Sequence, residues 1–328
     1  DDTDLSRSTK QSEEGVLEGL RWLGIKWDEG PDIGGPYGPY RQMERAYTYR
    51  EVADKLMAEG KAYHCYCTPE ELEAERKEAL ASGRPPRYYG KCRNLTDGER
   101  AALEGEGRKH VIRLRTPDKT LTFVDMLRGH QQKDMGERGD FVIVKSDGSP
   151  VYNFATVVDE HSMAITHVFR AVEHLTNTFD QLAVYEAMGW DTPQFGHLTL
   201  MLNPDRTKIS KRAGAVYIGE FRDMGYLPEA LVNFLALLGW NPGTDQEIFS
   251  MDELVEAFSV DTLSRSDAVF DIKKLDWFNG VYIRSLTPAD LAARVRPFME
   301  KAGYATTDQA FLERAVALVT DRLGKLTE

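Results

Sequence analysis

A chain of 328 residues, 41% hydrophobic and 29% charged, has the composition of an ordinary soluble globular protein with apolar material for two or three domains. Lys and Arg number 41 against 53 Asp and Glu, a net charge of −12, which excludes the uniformly basic balance of a small nucleic-acid-binding module and leaves phosphate contacts to local basic patches. The longest apolar stretch, 230–240, is interrupted by Asn233 and falls short of the roughly 20 residues that cross a bilayer, so no membrane partner is expected.

The chain opens Asp1-Asp2-Thr3-Asp4 without methionine or a signal segment, and reads as cut from a longer protein. Val16, Leu20 and Leu23 predict a helix over 12–23, stopped by Gly24 and a glycine- and proline-rich loop over 30–38. A second amphipathic helix is expected over 43–59 and a strand over 62–67. Thr68-Pro69-Glu70-Glu71 carries the N-cap, the N1 proline and the N3 glutamate of a helix start. Arg84, Arg87, Lys91 and Arg93 then bring four positive charges without an acid. Strands are expected over 111–115 and 141–144, the latter turning at Asp147-Gly148 into a return strand over 151–158. A strand over 164–169, a helix over 178–188 and a strand over 197–202 follow as an α/β unit, and helices dominate beyond 214.

Three side-chain groups carry chemistry. Lys208 and Lys211 straddle one turn of a polar loop, with Ser210 between them, so both ammonium groups can approach one anion; taken alone such a loop is also a solvated turn. Arg170 follows an apolar strand and is expected at its carboxyl end, the edge where open α/β sheets bind ligands. Cys65, Cys67 and Cys92 are three thiols expected on neighbouring strands; their odd number and clustering point to a reducing compartment, the cytoplasm. Zinc prefers four ligands, and Tyr88, His64 or Asn94 could supply the fourth, with free structural cysteines as the alternative.

Lys208-Ile209-Ser210-Lys211-Arg212 resembles the KMSKS loop of class I aminoacyl-tRNA synthetases, in the form typical of glutamyl-tRNA synthetases. Trp22-Leu23-Gly24, Gly38-Pro39-Tyr40-Arg41-Gln42, Lys145-Ser146-Asp147-Gly148, Phe169-Arg170-Ala171, Leu227-Pro228-Glu229-Ala230 and Trp277-Phe278-Asn279-Gly280 extend that resemblance in the family's order. The family's HIGH string is expected upstream of Asp1, and most of the anticodon-binding domain is expected beyond residue 328.

The resemblance implies an α/β fold: a doubly wound, Rossmann-type parallel sheet over 1–63 and 151–215, interrupted by an α/β acceptor-binding insertion over 64–150. Mostly helical regions follow, a stem-contact domain over 216–289 and the start of the anticodon-binding domain over 290–328. It implies glutamate contacts from Tyr152, Arg170, Thr156, Glu173 and Asp1, ATP contacts from Lys208, Ile209, Lys211 and His197, and catalytic roles for Lys208, Ser210 and Lys211. Asp4, Arg7, Arg113 and Arg115 are expected at tRNA, and Cys65, Cys67, Cys92 and Tyr88 at a structural Zn²⁺.

The implied activity is that of a monomeric ligase in protein synthesis, with ATP, Mg²⁺, L-glutamate and tRNA(Glu) as its reactants. A glutamyl-queuosine tRNA(Asp) synthetase and a non-catalytic tRNA-binding paralogue are the alternatives. A glutaminyl enzyme is disfavoured by the helical pattern after Ala289.

Overall fold

The computed structural model describes residues 2–3, 8–209, 217–304 and 308–328. It divides into two compact units, one of residues 1–9 and 28–197, the other of residues 10–27 and 198–328. Helix α1, Lys10–Trp22, belongs to the second unit although it opens the chain.

In the first unit, α2 (Ala46–Ala58) packs on β1 (Ala62–Cys65), which pairs antiparallel with β2 (Val111–Leu114), itself antiparallel to β5 (Val142–Val144). Between them lie α3 (Pro69–Ala81) and α4 (Asp97–Gly105), each opened by a capping box in which threonine and glutamate satisfy amide groups that the helix cannot. The hairpin of β3 (Thr120–Asp125) and β4 (Gly129–Asp134) goes beyond the expected elements.

The turn at Asp147-Gly148 forms as expected: Gly148 has φ 85°, and Ser149 donates through N and Oγ to Asp147 Oδ1. The return strand over 151–158 does not form. After one bridge between Val144 and Pro150 the chain enters helix α5, Tyr152–Ser162. Phe154, Ala155, Val157 and Val158 are all buried, a helical face that alternating β-branched residues disguise as a strand. Tyr152 is therefore the first residue of a helix, with Thr156 one turn on.

Strand β6 covers His167–Ala171, so Arg170 lies inside it and not after it. Helix α6 (Leu175–Met188) is buried along most of its length, and β7 covers Gln194–Leu198. The sheet order is β4-β3-β7-β6, with β3 and β7 parallel and β3 and β4 antiparallel. Gly196 lets β7 lie against β6, since a Cβ there would strike the Phe169 ring. The core between these layers includes Phe154, Val157, Phe179, Val184, Tyr185 and Phe195.

The second unit continues with β8 (Met201–Leu202), α7 (Ile218–Asp223), α8 (Pro228–Gly239), α9 (Met251–Ala257), β9 (Ala268–Val269), α10 (Ile272–Ser285), α11 (Pro288–Lys301) and α12 (Gln309–Val319). The strand expected over 197–202 is thus two strands, and β8 pairs parallel with β9. Asn233, which interrupts the apolar run, is fully buried and accepts from Phe249 N at 2.9 Å and Tyr282 Oη at 2.7 Å. Asn279 accepts from Leu227 N at 2.7 Å and donates to Gly324 O at 2.7 Å. Two buried amides thereby tie helices to loops through groups that water cannot reach.

Asp159 organises the loop before α2. It accepts from Arg45 Nε at 2.7 Å, Gln42 Nε2 at 2.9 Å and Tyr49 Oη at 2.8 Å, while Arg45 also donates to Tyr37 O and Pro39 O. The Arg45 side chain is 5% exposed, and without Asp159 its guanidinium becomes an uncompensated buried charge. Asp159→Ala should cost about 3 kcal/mol or more in urea-denaturation stability. Glu59→Ala, which breaks only the exposed pair with Lys61, should leave stability unchanged; equal midpoints for the two variants would contradict this account.

Candidate active site

The carboxyl end of the β3-β7-β6 sheet gathers a polar cluster in an otherwise apolar interior. Asp125 is the last residue of β3, His197 the fourth of five in β7 and Arg170 the fourth of five in β6. Asp125 is 1% exposed and His197 fully buried. Asp125 Oδ2 lies 2.5 Å from His197 Nδ1, and the carboxylate also accepts the backbone N–H groups of Leu127, Arg128 and His197. On the other side of the ring, Arg170 Nε donates to His197 Nε2 at 3.2 Å.

Burial pushes the Asp125 pKa up, but the donors from His197 and the three backbone amides outweigh it and hold the carboxyl below its ordinary range. Burial is also the chief influence on His197 and pushes it down, assisted by Arg170 and Arg128 and opposed by Asp125. The stable arrangement is an ionised Asp125 beside a neutral imidazole. The ring expected to touch ATP has both nitrogens engaged inside the protein and no exposed atom for a nucleotide.

Arg170 donates twice more, from Nη2 to Thr178 Oγ1 at 2.7 Å and to Gln181 Oε1 at 2.6 Å. Thr178 and Gln181 lie three residues apart on α6 and so share one face, and both are fully buried. Sequence reasoning missed these two residues and Asp125. The i, i+3 spacing on a helix was a findable signal for the first two; Asp125 offers none, since its partner is 72 residues away.

Of the other residues expected at glutamate, Tyr152 is 38% exposed and its ring lies 5.7 Å from that of His174, in the turn after β6. Thr156 is half-buried and Glu173 exposed. Lys208 is exposed and Ile209 half-buried after a tight turn, in which Asp205 Oδ1 accepts from Thr207 and Asn203 donates to Lys208 O. Asp1, Asp4, Arg7, Ser210 and Lys211 lie outside the described residues.

The cysteines converge, their Sγ atoms all within 4.8 Å of one another, but not from neighbouring strands: Cys65 ends β1, Cys67 lies just past it and Cys92 sits in a turn. Cys67 and Cys92 are 3.5 Å apart, and Tyr88 Oη lies 3.5 Å from Cys65 Sγ and 4.0 Å from Cys67 Sγ. Hydrogen bonds from Cys67 and Cys92 pull the Cys65 thiol pKa down, and the same contacts push Cys67 up. Tyr88, four residues before Cys92, is the phenol that reaches the trio and also accepts from Cys92 N at 2.7 Å; the three thiols are close enough together to hold a metal ion.

The basic run beside it is largely paired in space. Arg84 meets Glu78, Lys91 meets Glu71 and Arg93 meets Asp140. Arg113 is 7% exposed, donating to Asp140 O and stacked on Tyr88, so its charge is used internally. Arg115 is half-buried over Tyr63 and donates to Arg93 O. Arg87 lies over Tyr89 and lines a cleft of about 250 Å³ with Tyr88, Arg93, Asp118 and Asp140.

Residues 1–277 match the family described as tRNA synthetases class I (E and Q), catalytic domain. A glutamate–tRNA ligase from Sulfurihydrogenibium sp. is 51% identical over 329 residues, covering all of this chain and 69% of the relative. One from Heliobacterium modesticaldum is 54% identical over 304 residues, covering 92% of this chain and 61% of the relative. The chain thus spans roughly two thirds of the length of these relatives. Among solved structures, a glutamate tRNA ligase from Elizabethkingia meningosepticum, in complex with its amino acid, is similar with TM-score 0.90 and 33% identity, covering 99% of this chain and 70% of that one. The glutamate-tRNA synthetase of Elizabethkingia anophelis is similar with TM-score 0.91 and 33% identity, covering 100% and 71%. The α/β class expected from the sequence agrees with both likenesses. On the match over residues 1–277 and these identities, the chain belongs to the class I tRNA synthetases (E and Q).

Proposed function

We propose that this protein is a glutamate–tRNA ligase, which activates L-glutamate with ATP to glutamyl-adenylate and transfers the glutamyl group to the 3′ end of tRNA(Glu), acting in the cytoplasm as a monomer. Arg170 is the observation that supports this best: a guanidinium at the carboxyl end of the sheet, held by three neutral acceptors. No carboxylate pairs with it directly among the described residues, and a side-chain carboxylate is the anion that a planar fork of N–H groups takes best. The names of the relatives agree with it.

In this reading Arg170 takes the glutamate side chain, Tyr152, Thr156 and Glu173 shape the rest of the pocket, and Asp1 meets the substrate ammonium. The substrate α-carboxylate attacks the α-phosphate of ATP and pyrophosphate leaves. The terminal ribose hydroxyl of tRNA then attacks the adenylate carbonyl carbon, and AMP leaves. No protein nucleophile is required, so the rate enhancement comes from in-line placement and from cations at the leaving pyrophosphate. Lys208 and Lys211 supply that charge, Ser210 and Ile209 complete the loop, and Mg²⁺ adds further neutralisation when bound.

Residues 1–63 with 151–215 serve as the catalytic domain, 64–150 as the acceptor-binding insertion, 216–289 as the stem-contact domain and 290–328 as the start of the anticodon-binding domain. Asp4, Arg7 and Arg115 contact tRNA, with Arg113 supporting the Tyr88 side of that surface. A structural Zn²⁺ on Cys65, Cys67, Cys92 and Tyr88 fits the donor set, because three soft thiols and a phenol already converge there. That ion would clamp β1 to the loop carrying Tyr88 and Cys92.

Glutamate-dependent ATP–pyrophosphate exchange, measured on the protein with and without tRNA(Glu), tests the reaction; no exchange under either condition would overturn it and favour a tRNA-binding paralogue. Arg170→Ala should raise the glutamate KM on the order of 10²-fold or more with little change for ATP. Lys211→Ala should lower kcat on the order of 10²-fold at nearly constant glutamate KM, and equal loss of both parameters would reject its role. Elemental analysis should find about one zinc per chain, removed together with thermal stability by Cys92→Ala; full stability without stoichiometric metal would contradict the zinc site.

A further inference from the structure

Three of the five N–H groups of Arg170 are engaged within the protein. Nε and both protons of Nη2 are committed to His197, Thr178 and Gln181, whereas Nη1 makes no hydrogen bond among the described residues. What fixes the direction of that remaining edge is the acceptor at Nε. A neutral imidazole accepts through only one nitrogen, and which one depends on where its proton sits. The Asp125 carboxylate can only accept, and it already receives three backbone amides, so the proton of His197 belongs on Nδ1, 2.5 Å from Oδ2. Nε2 is then a lone pair facing Arg170 Nε–H. The opposite tautomer would set an N–H against an N–H, and a protonated ring would set a cation there.

We propose that Asp125 and His197 are a positioning pair for Arg170: the carboxylate selects the Nδ1–H tautomer, and the resulting Nε2 acceptor turns the Nη1 edge of the guanidinium toward the substrate's side-chain carboxylate. This rests on reading Arg170 as the glutamate anchor. Neither residue touches substrate. Thr178 strengthens the pair, since its hydroxyl accepts from Nη2 and lies 3.1 Å from the same Nε2. Gln181 offers one further sign that a polar ligand belongs here, because its Nε2 is buried without a partner while its Oε1 holds Arg170. The three strands contribute one residue each, so the pair works only where the sheet brings their carboxyl ends together.

The test is calorimetric binding of L-glutamate and of ATP to the full-length protein and to Asp125→Asn, His197→Leu, His197→Gln and Arg170→Ala, with long-range ¹H–¹⁵N spectra of the His197 ring in the unmodified protein. Asp125→Asn offers an amide N–H to Nδ1 and so inverts the tautomer. It and His197→Leu should weaken glutamate tenfold or more, the loss expected when one hydrogen bond to a charged group is removed, with ATP affinity unchanged. His197→Gln, whose Oε1 can replace Nε2 as acceptor, should recover most of the affinity. A merely structural role for His197 would give no such difference between Leu and Gln at equal melting temperature. The spectra should show Nδ1 protonated and Nε2 bare, a result that does not depend on any variant folding. Wild-type glutamate affinity in Asp125→Asn and His197→Leu, alongside lost binding in Arg170→Ala, would overturn the pair and leave the anchor standing. Wild-type affinity in Arg170→Ala would remove the anchor and the pair with it, and a protonated Nε2 would overturn the pair alone.

Discussion

A guanidinium at the inner edge of a sheet is tolerable only if its donors find acceptors and its charge finds an anion. Arg170 meets the first condition within the protein at Nε and Nη2 and leaves Nη1, with the second condition, to a ligand. Its acceptors come from two elements, β7 through His197 and α6 through Thr178 and Gln181, and Asp125 of β3, 72 residues before His197, stands behind the histidine. That requirement explains why polar residues with no exposed surface occur together in a layer otherwise filled by Phe154, Phe179 and Phe195. Buried polar groups are stable when fully bonded and costly when not, so the cluster constrains strand register as strictly as any hydrophobic contact.

The rest of the chain repeats the same physics with other residues. Asp159 fixes the glycine-rich loop by collecting Arg45, Gln42 and Tyr49. Asn233 and Asn279 fix the helical unit by bonding backbone groups of distant loops. The thiols and Tyr88 converge in the first unit without a large hydrophobic cluster around them, which is where a metal contributes most. In each case a short sequence string that looks functional is first a device for satisfying buried polar groups. The Gly38-Pro39-Tyr40-Arg41-Gln42 and Trp277-Phe278-Asn279-Gly280 strings are examples.

Much of this was legible in the sequence, and the misses have physical causes. The capping box at Thr68 is local chemistry and reads correctly. The cysteine trio reads correctly because a short spacing and a single loop closure suffice. Helix α5 was misread as a strand because Val151, Thr156, Val157 and Val158 favour β structure locally, whereas the apolar face they help form is helical. The pattern places Arg170 near the carboxyl end of its strand, and helical spacing could have found Thr178 and Gln181, but no local periodicity links Asp125 to a histidine 72 positions later. The carboxylates that pair with the basic run over 84–93, Glu71, Glu78 and Asp140, lie outside that run, so its pairing could not be read from the local string.

The account turns on one direction in space, that of the Arg170 guanidinium. A crystal structure of the full-length protein with L-glutamate tests it most directly. The account predicts the substrate's side-chain carboxylate within hydrogen-bond distance of Arg170 Nη1, with Nε still bonded to His197 Nε2. Glutamate bound elsewhere, or Arg170 swung away from His197 in order to reach it, would contradict the account.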